Sequence, residues 1–392
     1  MAVAEPEPGT RPLHWPAGIL TAPGRKQGGG VRAAVKRPLS PPGLSGHHVR
    51  VIGTEAAFRL PDPAHRLAGV RLRPDVRIPG GPLDFRHDGD GWELIIGRPP
   101  VSRMEYLVEL RYPGGGSEIT TDPGNPWQVA GAFGPKSVIE FPGYAPPGWL
   151  TAPAGPGSNR SLEVAVPPLG GTLPVRIWAP GGVADDEPLP LLVVHDGPEY
   201  DELASLTRYL AAGVEGRWLP RLRAALLAPG PRDRWYSASV RYARALALTV
   251  IPALTGELAT TVRVGMGTSL GALAMLHAHC RHPGAFGALF LQSGSFFCPR
   301  LDSHERRFPY YRRIVAFVAS VHDGALPGRP VPVALTCGVI EENAGNNRLM
   351  TQVLRERGYP AELHEVADAH NYTAWRDAFD PHLTALLRRV CP

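Results

Sequence analysis

Ser269 lies in the run Val264-Gly265-Met266-Gly267-Thr268-Ser269-Leu270-Gly271, where an apolar strand enters Gly-x-Ser-x-Gly and an alanine-rich helix follows at once. That strand, sharp turn and helix form the setting in which a serine becomes a nucleophile. Gly267 and Gly271 are needed because a side chain at either place would collide with the neighbouring strand or helix. Ser269 Oγ is then expected at the carboxyl end of a sheet, above a helix N-terminus that favours negative charge. The chemistry this predicts is acyl transfer.

A serine hydroxyl needs a positioned base, and in this strand–turn–helix setting the partners follow in the order serine, acid, histidine. Downstream of Ser269, His277, His279 and His282 fall on or just beyond the following helix, and His304, His322 and His364 read as surface or packing histidines. His370 differs. It follows the apparent strand Ala361–Val366, in the loop Ala367-Asp368-Ala369-His370-Asn371, ahead of a final helix from about Thr373 to Val390. For the acid, the buried run Val331–Cys337 leads to Gly338-Val339-Ile340-Glu341-Glu342. Glu341 is the first choice, Glu342 the alternative and Asp368 the fallback.

An oxyanion also needs backbone donors. The amide of Leu270, next after the nucleophile, is one. The other is expected in His195-Asp196-Gly197-Pro198-Glu199-Tyr200, from Gly197 or Glu199, since Pro198 has no N–H. Arg234 could bind an anionic substrate or pair with the adjacent Asp233. Side chains and water suffice for this chemistry, so no metal or organic cofactor is expected.

These residues must be held by elements. Residues from about 160 onward alternate strand-like runs at Pro174–Trp178, Leu189–Val194, Ala224–Leu227, Thr261–Gly265, Ala288–Leu291 and Pro332–Cys337 with helical spacing, including Tyr236–Leu254, Leu270–Cys280 and Asn346–Arg357. That alternation predicts a mostly parallel sheet covered on both faces. Before it, His48–Gly53, Ala68–Leu72, Trp92–Ile96, Glu105–Tyr112 and Ser137–Phe141 read as short strands between turns, a small β-sandwich without a nucleophile–base pair. The expected organisation is a basic Pro/Gly-rich disordered arm over 1–47, a sandwich over 48–155 and a catalytic domain over 160–392.

Composition narrows the function classes. The 392 residues exceed one ordinary core, and 45 Gly with 44 Pro predict many turns. Most of the net charge of +5 falls in the arm, which argues against nucleic acid as a partner. Cys280, Cys298, Cys337 and Cys391 form no metal or redox spacing. No run has the makings of a secretion signal or a membrane span, so a cytoplasmic enzyme without a membrane partner is expected.

Taken together, the motifs resemble the enterochelin (siderophore) esterase family, a branch of the α/β-hydrolase fold that is similar to feruloyl esterases and mycolyltransferases. The resemblance runs from about residue 50 and rests on Asp88–Glu93, Met104-Glu105-Tyr106, Asp122–Pro126, Lys136-Ser137-Val138, Phe141-Pro142-Gly143, His195-Asp196-Gly197, Arg234–Ser237, Gly267–Gly271, Gln292–Phe296, Gly338–Glu341 and His370 through Arg376. This sequence has Ala272 where a second glycine is usual, Trp235-Tyr236 in place of a more acidic pairing, and Asp368-Ala369 where Gly-Gly usually precedes the histidine. The resemblance implies an immunoglobulin-like leading domain and substrate contacts from Asp196, Arg234 and Trp235. It further implies a small-molecule ester substrate, for the siderophore members a catechol-bearing cyclic trilactone, often as its ferric complex. An acyltransferase with the same triad and a non-catalytic binding protein on this fold are the competing readings.

Overall fold

The computed structural model describes residues 49–78, 81–326 and 328–391; the arm expected over 1–47 lies outside them. The later part of the chain builds one eight-stranded sheet from β1 (Gly157–Val166), β2 (Gly171–Pro180), β3 (Leu189–Val194), β4 (Arg223–Leu227), β5 (Thr260–Thr268), β6 (Ala288–Gln292), β7 (Val333–Gly338) and β8 (Ala361–Val366). The strand order is β1-β2-β4-β3-β5-β6-β7-β8. The six strands from β4 to β8 run parallel, and β1 and β2 are antiparallel at one edge.

Every residue of β3, β4, β6 and β7 is buried, which is why these strands read as unbroken apolar runs. Alternate side chains feed two cores. Leu191, Val193, Ala225, Leu227, Leu289 and Leu291 face one, while Leu192, Val194, Ala224, Leu226, Ala288 and Phe290 face the other. On the first face β5 presents Gly265, where a Cβ would meet Leu289, Met275 and Phe286 at 3.0–3.2 Å. The missing side chain lets the helix after β5 close onto the sheet. Four helices matter for the site: α1 (Gly197–Ala204), α2 (Leu270–Arg281), α3 (Ala344–Glu356) and α4 (Tyr372–Asp377).

Two antiparallel sheets precede this unit. One orders Val49–Ile52, Glu55–Pro61, Gly91–Gly97 and Arg86–Asp88; the other orders Gly69–Pro74, Arg103–Arg111, Lys136–Glu140 and Gln128–Val129, with Ser117–Thr120 added beside Arg103–Arg111. Phe58, Leu60, Val70, Leu72, Tyr106 and Val108 share the core between them. The run Asp122–Asn125 is tied to that core. Tyr106 OH donates to Asp122 Oδ2 at 2.7 Å and accepts from Asn125 Nδ2 at 2.9 Å.

The two parts meet at the loop after β8. Ala369 is buried in the sandwich core, and Ser102 N–H donates to Ala367 O at 2.7 Å. Tyr144 OH reaches Asp377 at 2.8 Å.

Two expected helices are interrupted. In place of one helix over Tyr236–Leu254, Arg232–Tyr236 ends in a turn with Ala238 at φ 53°, and a new helix starts at Val240 beneath a Ser239 cap. The final helix is cut at Asp380-Pro381, where Asp380 leaves helical geometry. Glu55–Pro61 and Gly157–Val166, which lie outside the expected strands, are half-exposed, so their apolar signal is weak. No described helix is long and apolar enough to cross a membrane.

At the seam, the Asp75 side chain is buried and neither carboxylate oxygen has a hydrogen bond among the described residues. Burial and nearby Glu105 push its carboxyl up to about 8, against Lys136, which sits 3.8 Å away. The folded chain therefore keeps a proton that the unfolded chain releases near pH 4, and stability from this group falls as pH rises from about 4 to about 8. Asp75→Asn should gain on wild type by about 1 kcal/mol per pH unit across that window and level off above it. Urea unfolding at pH 5, 6.5 and 8 checks this; parallel curves for the two proteins would refute the assignment.

Candidate active site

Ser269 occupies the turn between β5 and α2 with φ 55° and ψ −122°, a backbone conformation costly for any residue with a side chain. Neighbouring backbone holds it there. Its N–H donates to Gln292 O at 2.9 Å, and its carbonyl accepts from Leu273 and Ser295 N–H at 3.2 Å. At Gly267 a Cβ would lie 2.6 Å from the Gly271 carbonyl, so the turn closes only with glycine.

Glu341 follows β7 and its side chain is 1% exposed. Oε1 accepts from Gly338 N–H at 2.7 Å and Ser293 Oγ at 2.8 Å, and Oε2 lies 2.8 Å from His370 Nδ1. Because an ionised carboxylate only accepts, Nδ1 carries the imidazole proton and Nε2 is left as the acceptor. Trp375, on α4, packs its ring edge-on to His370 with centroids 5.0 Å apart and donates Nε1–H to Ser293 Oγ at 2.9 Å. His370 remains 31% exposed.

Ser269 Oγ is 3.2 Å from Ser295 Oγ, and no hydrogen bond joins it to His370 among the described residues. Such a bond commonly tightens only when substrate arrives. Glu342 points away from His370. It is 61% exposed, 3.1 Å from His304 Nε2, and shares with His304 and Glu305 an open group of ligand-type atoms within 4.8 Å of one another. Asp368, the fallback acid, is buried and accepts from Ala369 N–H at 2.7 Å and Asn371 Nδ2 at 3.2 Å.

No protein-family model matches the sequence, and no curated protein does. Solved structures do match. The enterochelin esterase of Shigella flexneri superposes with TM-score 0.70 at 18% identity, covering 88% of this chain and 96% of that one. The ferric enterobactin esterase of Salmonella typhimurium gives 0.69 at 20% identity, over 86% and 94%. A ferulic acid esterase gives 0.51 at 15% identity, over 59% of this chain and 98% of its own. The chain has the enterochelin-esterase fold.

In this enterochelin-esterase fold the loop after β3 stands beside the Ser269 turn. Gly197 opens α1 where a Cβ would lie 2.4 Å from Leu226 Cα, and Leu270 opens α2. As first residues of helices, both have N–H groups without an intrahelical acceptor. Glu199, the other donor weighed, lies two residues further into α1. His195 is buried, donating Nδ1–H to Gly271 O at 2.9 Å and accepting at Nε2 from Tyr242 OH at 2.8 Å. Burial pushes its pKa down to about 4, so it stays neutral and ties the β3 loop to the Ser269 turn.

Two of the three expected substrate contacts are engaged within the protein. Asp196 is buried, and both its oxygens accept from Arg232 Nε and Nη2 at 2.9–3.1 Å, so its carboxylate is already satisfied. Trp235 is buried in a stack on Tyr242, 5.6 Å between centroids. Arg234 is exposed, and no ion pair joins it to Asp233 among the described residues. Arg232, which sequence reasoning passed over, is the arginine at the site. Ser293 and Trp375 fell inside quoted motifs without a role, and only the fold brings them to Glu341.

Arg232→Ala strands a buried carboxylate and should cost about 3–5 kcal/mol of unfolding free energy, whereas Arg234→Ala should stay within about 0.5 kcal/mol. Denaturant titration of both variants separates them; equal effects would return the two arginines to the same standing.

Proposed function

We propose that this chain is a serine carboxylic-ester hydrolase of the enterochelin esterase-like family, with Ser269 as nucleophile, His370 as base and Glu341 as acid. The observation that carries the reading is the 2.8 Å contact between Glu341 Oε2 and His370 Nδ1, at the sheet end where Ser269 holds its strained turn. In the first step His370 Nε2 takes the hydroxyl proton as Ser269 Oγ attacks the ester carbonyl. Glu341 stabilises the imidazolium, and Leu270 and Gly197 N–H groups receive the oxyanion. The protonated imidazole then hands its proton to the leaving alcohol. Water, deprotonated by the same nitrogen, releases the acid and restores Ser269.

The substrate class we infer is a cyclic ester of the siderophore trilactone kind, free or as its ferric complex. What supports it is fold likeness to the enterobactin esterase of Shigella flexneri, whose structure was solved in the presence of enterobactin. The reading extends to the sandwich of residues 48–155 as an immunoglobulin-like module ahead of catalytic residues 160–392. Two antiparallel sheets around one core support that extension.

Wild type should hydrolyse a short p-nitrophenyl ester, and Ser269→Ala should lower kcat by about 10⁴-fold or more. A fluorophosphonate probe should leave one adduct, on Ser269. Glu341→Gln should lose far more activity than Glu342→Gln. Mass spectrometry of a catechol trilactone digest then tests the substrate class. Absence of both turnover and adduct would leave a binding protein on this fold, and ester transfer to an added alcohol in preference to water would make it an acyltransferase.

A further inference from the structure

Arg103 is the first residue of its strand in the sandwich, and its side chain is 1% exposed. It does not point into the sandwich's apolar core alone. Nη1 donates to Glu105 Oε1 at 3.1 Å and, across the seam, to Asn371 Oδ1 at 3.2 Å; it also stands 3.8 Å from Asp368 Oδ2. Asn371 and Asp368 flank His370 on either side. The same Asn371 oxygen caps α4 by accepting from Ala374 N–H at 2.9 Å, and α4 carries the Trp375 ring that packs on the imidazole.

Further contacts fix the same loop from the sandwich side. Ser102 N–H holds Ala367 O, Ala369 is buried among sandwich residues, and Ser102 O accepts from Phe141 N–H at 2.9 Å. The loop on which His370 sits thus has sandwich partners at residues 367, 368, 369 and 371. Among the groups facing it, Arg103 is the one whose side chain bonds to the loop and to its own module at once. A buried guanidinium between carboxylates is costly to place and costlier to unpair, which makes it a rigid link.

Resting on the site reading given above, we propose that Arg103 is a positioning residue for the reaction. The leading module, through this one guanidinium, sets the orientation of His370 toward Ser269. It acts through Asn371 and Asp368 and touches no reacting atom.

A double-mutant cycle on the full chain tests it, with p-nitrophenyl acetate as substrate and Tm measured for every variant. Arg103→Ala should lower kcat by about 10²-fold with KM little changed, since a misplaced base costs rate more than binding. Arg103→Lys, which keeps the charge but not the fork, should fall between. On a His370→Ala background, whose residual turnover does not use the imidazole, neither change should have a further effect. Equal losses on both backgrounds, or a folded Arg103→Ala at the wild-type kcat, overturns the inference. If Arg103→Ala does not fold, Arg103→Lys carries the same cycle. A loss that vanishes with His370 removed supports the proposal, and wild-type turnover or an equal loss on both backgrounds overturns it. His370→Ala at the wild-type rate would overturn the site reading and the inference together, so the two failures are told apart by that single variant.

Discussion

A carboxylate with its side chain 1% exposed is tolerable only when its oxygens are bonded, and Glu341 imposes that demand on everything around it. Two donors serve Oε1 and the imidazole serves Oε2. Meeting the demand requires Ser293 to stand at φ 48°, off the end of β6, and Gly338 to stay bare. A Cβ at Gly338 would come 2.8 Å from Oε1 and 2.2 Å from Asp368 O. Trp375 then fixes the Ser293 hydroxyl so that its hydrogen points to Glu341. The ends of β6 and β7 and the start of α4 are locked together by one buried charge, and the His370 imidazole is oriented as a consequence.

The parallel sheet makes this convergence economical, because every strand from β3 to β8 delivers its following loop to the same edge. The β3 loop supplies Gly197, β5 supplies Ser269, β6 Ser293, β7 Glu341 and β8 His370. Close approach is what such an edge needs, and glycine appears where the backbones meet. The neutral His195 bridges the first two loops, bonded on one side to the Gly271 carbonyl and on the other to Tyr242. Asp196 and Arg232 neutralise each other just behind it. Charge near Ser269 is therefore fixed by internal pairs.

The turn at Ser269 was legible because its signal is local: a strand, a five-residue turn and a helix in one stretch. The place of His370, in the loop after the last strand, was legible in the same way. Other features depend on direction, which sequence conceals. Arg232 and Arg234 are two apart on one helical turn and so point to nearly opposite sides, yet composition treats them alike. Glu341 and Glu342 are neighbours in sequence, but one is buried against His370 and the other faces His304. Helix interruptions at Ala238 and Pro381 left the 3.6-residue pattern intact on both sides, so periodicity alone merged the pieces. Arg103 and Asn371 are separated by 268 positions, and no local signal could connect them.

The histidine loop shows how a departure from a family's usual residues can have a structural cause. Where resemblance leads one to expect Gly-Gly, this chain has Asp368-Ala369, and neither residue adopts a positive φ, so the bend does not call for glycine. The side chains that glycine would lack are both used. The Ala369 methyl is buried in the sandwich core, and the Asp368 carboxylate accepts from the Ala369 N–H and the Asn371 side-chain amide while standing near Arg103. A glycine pair would leave the loop to be shaped by its own backbone. Here side chains shape it through the neighbouring module, so the geometry of the His370 loop depends on how the sandwich is seated.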